Sequence, residues 1–257
     1  MEEKNYRVLR IEEQLYGCEE LPEGQPVLCD VLLEAADGTQ WVLPYPDAEL
    51  TRLDINEGST VTLRDHRLIK AAHKVYFTRH GETVWNVENK ICGMTDSPLT
   101  EKGRAQAREL GEKLRTSGLR IDEILYSPLS RAADTARAIA EATGIPARCE
   151  PRLREQCFGR YEGTPRDGEE FRISKTHFAD RYSGGESMMQ LAQRIYNLLD
   201  ELKEQQDKTY ILVAHNGIAR VVQSYFKDMT NEEYAAFGVP NCSVTEFSFE
   251  EKKGTCK

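Results

Sequence analysis

The chain is 257 residues long, enough for one large domain or two smaller ones at about 150 residues each. Its 34 basic and 43 acidic residues leave a net charge of −9, which argues against non-specific binding to nucleic acid or an anionic membrane and leaves only a local basic pocket as an anion site. Hydrophobic residues make up 39% and charged residues 30%, and no apolar run approaches the ~18 residues of a membrane span.

Tyr6 to Ile11 reads as a first strand. Val27, Cys29, Val31, Leu33 and Ala35 then alternate with Leu28, Asp30, Leu32 and Glu34, the period of a strand with one buried face. Asp37-Gly38 is a hairpin signal, with Gln40-Trp41-Val42-Leu43 as the returning strand. Glu57-Gly58 precedes another alternating run, Thr60-Val61-Thr62-Leu63. These runs predict a small antiparallel β domain of about four or five strands over residues 1–72, joined to the rest near Lys70-Ala71-Ala72-His73.

Strands and helices alternate from Lys74 onward. Val75-Tyr76-Phe77 is a short strand, and Thr100 caps a helix with Ala107, Leu110, Gly111 and Leu114 on one face. Ile124-Leu125-Tyr126 is a strand, followed by a helix that turns Ala132, Ala136, Ile139 and Ala140 inward and stops at Gly144 before Pro146. Ser187 caps a long helix striped by Leu191, Ile195, Leu198, Leu199 and Leu202. Tyr210 to Ala214 is a continuous apolar strand, of the kind buried on both faces. Gly217 to Phe226 is helical, and Val244 to Phe249 is a last strand. The prediction for residues 73–257 is a three-layer α/β sandwich with a mainly parallel sheet. Chemistry in such sheets sits at the carboxyl ends of strands. His80 and His215 both fall there.

The chain starts Met1-Glu2-Glu3-Lys4-Asn5 with no apolar stretch behind it, so a cytoplasmic location is expected. Cys18, Cys29, Cys92, Cys149, Cys157, Cys242 and Cys256 are odd in number and form no Cys-x-x-Cys pair. Free thiols are expected, and neither a disulfide scaffold nor a zinc ribbon.

Arg79-His80-Gly81-Glu82-Thr83 follows a strand directly. A guanidinium beside an imidazole, on a loop that glycine lets turn sharply, is an anion site in outline. Trp85-Asn86 follows, then Asp96-Ser97-Pro98-Leu99-Thr100-Glu101-Lys102-Gly103 and Ser127-Pro128-Leu129-Ser130-Arg131-Ala132. Leu153-Arg154-Glu155, Phe158-Gly159, Glu162-Gly163, Gly185-Glu186-Ser187 and His215-x-Gly217 complete an ordered set. Over about Lys74 to Phe249 this set resembles the histidine phosphatase superfamily, the group of the cofactor-dependent phosphoglycerate mutases and small broad-specificity phosphatases.

The resemblance implies a phosphoglycerate mutase-like fold, and its phosphatase branch implies hydrolysis of a small phosphomonoester through a phosphohistidine. His80 is the expected nucleophile, its second ring nitrogen donating to a backbone carbonyl to fix the tautomer. Arg79, Arg131 and His215 would surround the phosphoryl charge, with Asn86 as a neutral donor. Glu155 is the expected general acid, then base. Glu82 is expected to orient the loop, while His66, His73 and His177 are expected at the surface. With cationic side chains lining the pocket, neither a metal nor another cofactor is expected. The family commonly has glycine after the second histidine, and here Asn216 stands there. It keeps a backbone donor for phosphate but brings a side chain toward the substrate.

Two alternatives stand beside the phosphatase reading. A phosphoglycerate mutase would resemble its relatives in a longer insertion after the acid segment, whereas Glu155 to Gly185 is only about thirty residues. A regulatory or binding protein would use the fold as a scaffold, which the full set of catalytic residue types argues against. The expected partner is a small-molecule phosphomonoester, with no nucleic acid and no membrane. The β domain is compatible with a protein-interaction module, a homo-oligomer contact or a wall of the site.

Overall fold

The computed structural model describes residues 5–14, 25–35, 37–71, 73–206 and 208–249. The chain divides into two compact units, the first running to His73 and taking in Gln205 and Gln206, and the second holding Lys74–Glu204 and Lys208–Phe249. Ala72, the last residue expected in the β domain, lies outside the described residues, as do Cys18 and Cys256. The described cysteines are free thiols.

Five antiparallel strands build the first unit: β1 (Asn5–Glu13), β2 (Leu28–Ala35), β3 (Gln40–Pro46), β4 (Thr60–Arg64) and β5 (Arg67–Lys70), in the order β3-β2-β1-β4-β5. The alternation in β2 works as read, with Cys29, Val31 and Leu33 turned into a core shared with Val8, Val61 and Leu68. Gly38 takes a left-handed φ of 82°, as the Asp-Gly turn requires. Two elements had no strong signal. The short helix α1 (Asp47–Arg52) contributes one buried residue, Leu50. The β4–β5 hairpin turns on Asp65 and His66, at φ of 49° and 60°, a geometry that usually signals itself by glycine or asparagine.

In the second unit the strands are β6 (Lys74–Arg79), β7 (Glu123–Tyr126), β8 (Ala147–Cys149), β9 (Tyr210–Ala214) and β10 (Val244–Ser248), ordered β10-β6-β9-β7-β8. All pairings are parallel except that of β10 with β6. The strand β8 escaped the sequence because it is three residues long and exposed. Strand β9 is buried throughout and divides its side chains between the two faces. Ile211 and Val213 pack with Leu110 and Leu114 of α3 (Glu101–Thr116) and with Ala132, Ala136 and Ile139 of α4 (Ser130–Thr143). Tyr210, Leu212 and Ala214 pack with the leucine stripe of α6 (Met188–Glu204) and with Ile218, Val221 and Val222 of α7 (Asn216–Phe226). The unit is thus a three-layer α/β/α sandwich. Thr100 Oγ1 accepts from the Gly103 amide at 3.0 Å, and Gly144 ends α4 at φ 74°. The remaining helices are short: α2 (Val84–Val87), α5 (Glu169–Ser174) and α8 (Asn231–Ala236). Among the described residues no helix is long and apolar enough to cross a membrane.

Candidate active site

Adjacent parallel strands deliver the two histidines to one place. The register pairs Arg79 of β6 with Ala214 of β9, so His80 and His215 emerge side by side. Their ring centroids lie 5.1 Å apart. The backbone there is braced from several sides. His80 N–H donates to the Ala214 carbonyl at 3.0 Å, the Asn241 side-chain amide donates to the His80 carbonyl at 2.7 Å, and Gly81 N–H donates to Thr135 Oγ1 at 3.1 Å. A Cβ on Gly81 would meet the Gly103 carbonyl, and one on Gly103 would meet the Glu82 carbonyl. The loop therefore lies on the start of α3 with no room for a side chain at either position. Glu82 secures the same contact, pairing with Lys102 Nζ at 2.8 Å and accepting from Thr100 Oγ1 at 3.1 Å. It holds the loop, as read.

His80 Nδ1 lies 2.7 Å from the Gly81 carbonyl. A carbonyl only accepts, so Nδ1 carries the proton and Nε2 is the basic nitrogen. Burial, then Arg131 and Arg79, push the His80 pKa well below 6.5. Burial, then Arg131 and His80, do the same to His215. Both rings are neutral near pH 7. His215 Nε2 pairs with Ser127 Oγ at 2.6 Å.

The cavity at these strand ends has a volume of about 140 Å³. Arg79, His80, Asn86, Glu155 and Asn216 line it, all of them expected site residues. Arg131 and His215 do not reach its lining and are 1% and 0% exposed. Arg131 is clamped from the far side, donating to the Gly93 carbonyl at 2.7 Å, to the Thr95 carbonyl at 3.1 Å and to Asp96 at 3.4 Å. Among the described residues, Arg79 Nε, Arg131 Nε and His215 Nδ1 are buried without a hydrogen-bond partner. Buried polar groups are rarely left unpaired in a native fold. Here all three belong to the groups around His80, as a site built to receive an anion requires. Arg79 is held by one bond, Nη1 to the Val239 carbonyl at 3.1 Å, and burial, then Arg166, lower its pKa to about 10.

Glu155 is 5% exposed and is no surface acid. It accepts from its neighbour Gln156 N–H at 2.9 Å and from Gly217 N–H, at the first turn of α7, at 3.1 Å. A Cβ on residue 217 would fall on the Glu155 carboxylate, so only glycine fits there. Asn86 Oδ1 accepts from Thr83 N–H at 3.1 Å, which leaves its amide N–H₂ as the group to offer the cavity. Asn216 Oδ1 accepts from Val239 N–H at 2.9 Å, which ties that side chain to the backbone. Cys157 does not line the cavity and donates instead toward the Gly184 carbonyl, while Cys92 is the thiol in the wall. His66 and His177 are exposed and His73 is half-buried.

The sequence left several lining residues without a role. Arg166 and Lys175 reach the cavity from the span between Glu155 and Gly185, and Arg220 reaches it from α7. Only Arg220 had a usable signal, four residues and one helical turn beyond Asn216. Among the described residues no group of three His, Cys, Asp or Glu side chains is placed to hold a metal ion.

The family model described as "Histidine phosphatase superfamily (branch 1)" matches residues 75–257. A curated relative from Enterobacter sp. (strain 638), named "Probable phosphoglycerate mutase GpmB", is 37% identical over 186 residues, covering 69% of this chain and 86% of its own. Among solved structures, a mycobacterial glucosyl-3-phosphoglycerate phosphatase complexed with VO3 is 31% identical with a TM-score of 0.60, covering 68% of this chain and 90% of its own. A structure called "Mycobacterial hydrolase 1" is likewise 31% identical, with a TM-score of 0.61 and coverage of 69% and 92%.

Proposed function

The chain belongs to the histidine phosphatase superfamily, and from that premise we propose that it is a phosphomonoesterase acting through a phosphohistidine at His80. One observation carries the reading: Nδ1 donates to the Gly81 carbonyl, so the basic Nε2 belongs to a residue that lines a cavity shared with Arg79 and Glu155. Nε2 attacks phosphorus in line, and the bond to the leaving oxygen breaks. Arg79, with Arg131 and His215 behind it, faces the charge on the equatorial oxygens, and Asn86 adds a neutral donor. Asn216 and Gly217, at the start of α7, line the same wall. Glu155, as general acid, gives a proton to the departing alkoxide. It then takes one from the water that attacks the phosphohistidine, which releases inorganic phosphate and restores His80. The arginines supply the positive charge, and no metal is invoked.

The name of the curated relatives favours a second reading, transfer between two oxygens of a phosphoglycerate. The short Glu155–Gly185 span supports hydrolysis instead. Acid- and base-quenched samples with a labelled aryl phosphate should show an acid-labile, base-stable label that His80→Ala abolishes together with turnover. Near-normal turnover in that variant would end the phosphohistidine reading. Incubation with 3-phosphoglycerate decides between the two reactions, by release of inorganic phosphate or by formation of the isomer.

A further inference from the structure

Ser127 stands one residue beyond β7, and no step at His80 uses it. Strand β9 lies between β6 and β7 in the sheet, so His215 at its end has His80 on one side and Ser127 on the other. Ser127 N–H donates to the Val213 carbonyl at 3.1 Å, which fixes the serine against β9. Ser127 and His215 are both 0% exposed, and Oγ meets Nε2 across 2.6 Å.

The proton between them can belong to either side. Ser127 Oγ already accepts from Leu129 N–H at 3.4 Å. Its own proton has one acceptor among the described residues, His215 Nε2. If Nε2 held the ring proton and donated it, the hydroxyl proton would be buried without an acceptor. Nδ1 would then be a buried lone pair with no donor, so two groups would be orphaned. If the hydroxyl donates instead, only the Nδ1 proton is left over. That donor joins the unpaired Nε–H groups of Arg79 and Arg131 around His80. An oxyanion there would be met by donors alone, whereas the other tautomer would set a lone pair against it. Burial and Arg131 keep the ring neutral, so the choice of tautomer decides what His215 offers.

We propose that Ser127 is a positioning residue for His215: its hydroxyl donates to Nε2 and so holds the ring proton on Nδ1, the form able to donate to a phosphoryl oxygen. The tautomer rests on the hydrogen bonding alone, and its use toward a phosphoryl group rests on the phosphomonoesterase reading.

The test uses the full chain with isotope-labelled histidine nitrogens, in which long-range nitrogen–proton correlations distinguish the two neutral tautomers of an imidazole. The His215 signals are those lost in His215→Asn. In the wild-type chain His215 should show its proton on Nδ1. In Ser127→Ala the proton should move wholly or partly to Nε2, whereas Ser127→Thr, which keeps a hydroxyl, should retain the Nδ1–H form. A serine that only fills space would change Tm and leave the tautomer alone. An Nε2–H ring in the wild-type chain would overturn the proposal, and so would an unaltered Nδ1–H ring in Ser127→Ala. The wild-type spectrum keeps the assignment open to refutation should the alanine variant fail to fold. On nitrophenyl phosphate Ser127→Ala should lower kcat/KM by about 10- to 100-fold, somewhat less than removal of a whole oxyanion donor, because the ring can still reach the Nδ1–H form. A normal rate in a variant whose tautomer has moved would overturn the use of that proton toward the phosphoryl group. Turnover of no phosphomonoester by the wild-type chain would instead end the phosphomonoesterase reading, and the spectra would still judge the tautomer.

Discussion

His80 and His215 are neutral because of what surrounds them. Burial and then Arg131 hold both below the usual histidine range. In the unfolded chain they titrate near about 6.5, so below that pH the unfolded state binds more protons than the folded one. Their contribution to stability is therefore complete above about pH 6.5 and lost as the pH falls. Calorimetry should show Tm falling from pH 7 toward pH 5, with a shallower slope in His80→Asn. An unchanged slope would deny His80 this role. The acid limb of kcat/KM should also lie well below pH 6.5, because Nε2 stays unprotonated there. Glu155 makes a separate prediction. Protonation matters most for a poor leaving group, so Glu155→Gln should slow an alkyl phosphate by about 10²–10⁴-fold and a nitrophenyl phosphate much less. Equal losses would take the acid role from Glu155.

At the scale of elements, the first turn of α7 is the most constrained part of the site. Gly217 donates to Glu155 and leaves no space for a Cβ beside the carboxylate. Gly217→Ala should therefore displace the acid without removing it. A displacement of about 1 Å can cost on the order of 10²-fold in rate, and the loss should again be larger for the alkyl phosphate. A variant with normal rates on both substrates would show that the contact is dispensable. The start of α3 is constrained differently. Thr100 caps the helix and also donates to Glu82, so its hydroxyl serves helix and catalytic loop together. Thr100→Ala should cost about 1 kcal/mol, read as a lower denaturant midpoint. The loop's tie through Lys102 is retained.

For the whole molecule, every described residue that lines the cavity belongs to the second unit. Hydrolysis of a small aryl phosphate should therefore be intrinsic to residues 74–257. The truncated chain should melt cooperatively and keep that activity, and any change should appear in stability, oligomeric state or preference among natural substrates. A truncated chain that melts cooperatively but has lost aryl phosphate hydrolysis would make the β unit part of the site.

Local sequence determined the elements whose signal is local. Alternation marked β2, a continuous apolar run marked β9, and Thr100 and Gly144 marked helix ends, because each depends on neighbours within a few residues. The Arg79-His80 loop and His215 were legible too, since both directly follow strands of a parallel sheet, and parallel pairing brings such ends together. Short or polar pieces carried no such signal: β8, α1 and the Asp65-His66 turn are held by context rather than by propensity. Only the tertiary structure decided the rest of the site. It withdrew Arg131 and His215 from the cavity lining and tied the Asn216 side-chain oxygen to the Val239 amide. It also placed Arg166, Lys175 and Arg220, from separate segments, around one space. Pocket charge depends on which distant side chains share a cavity and which have found counter-charges elsewhere, and neither is encoded in local pattern.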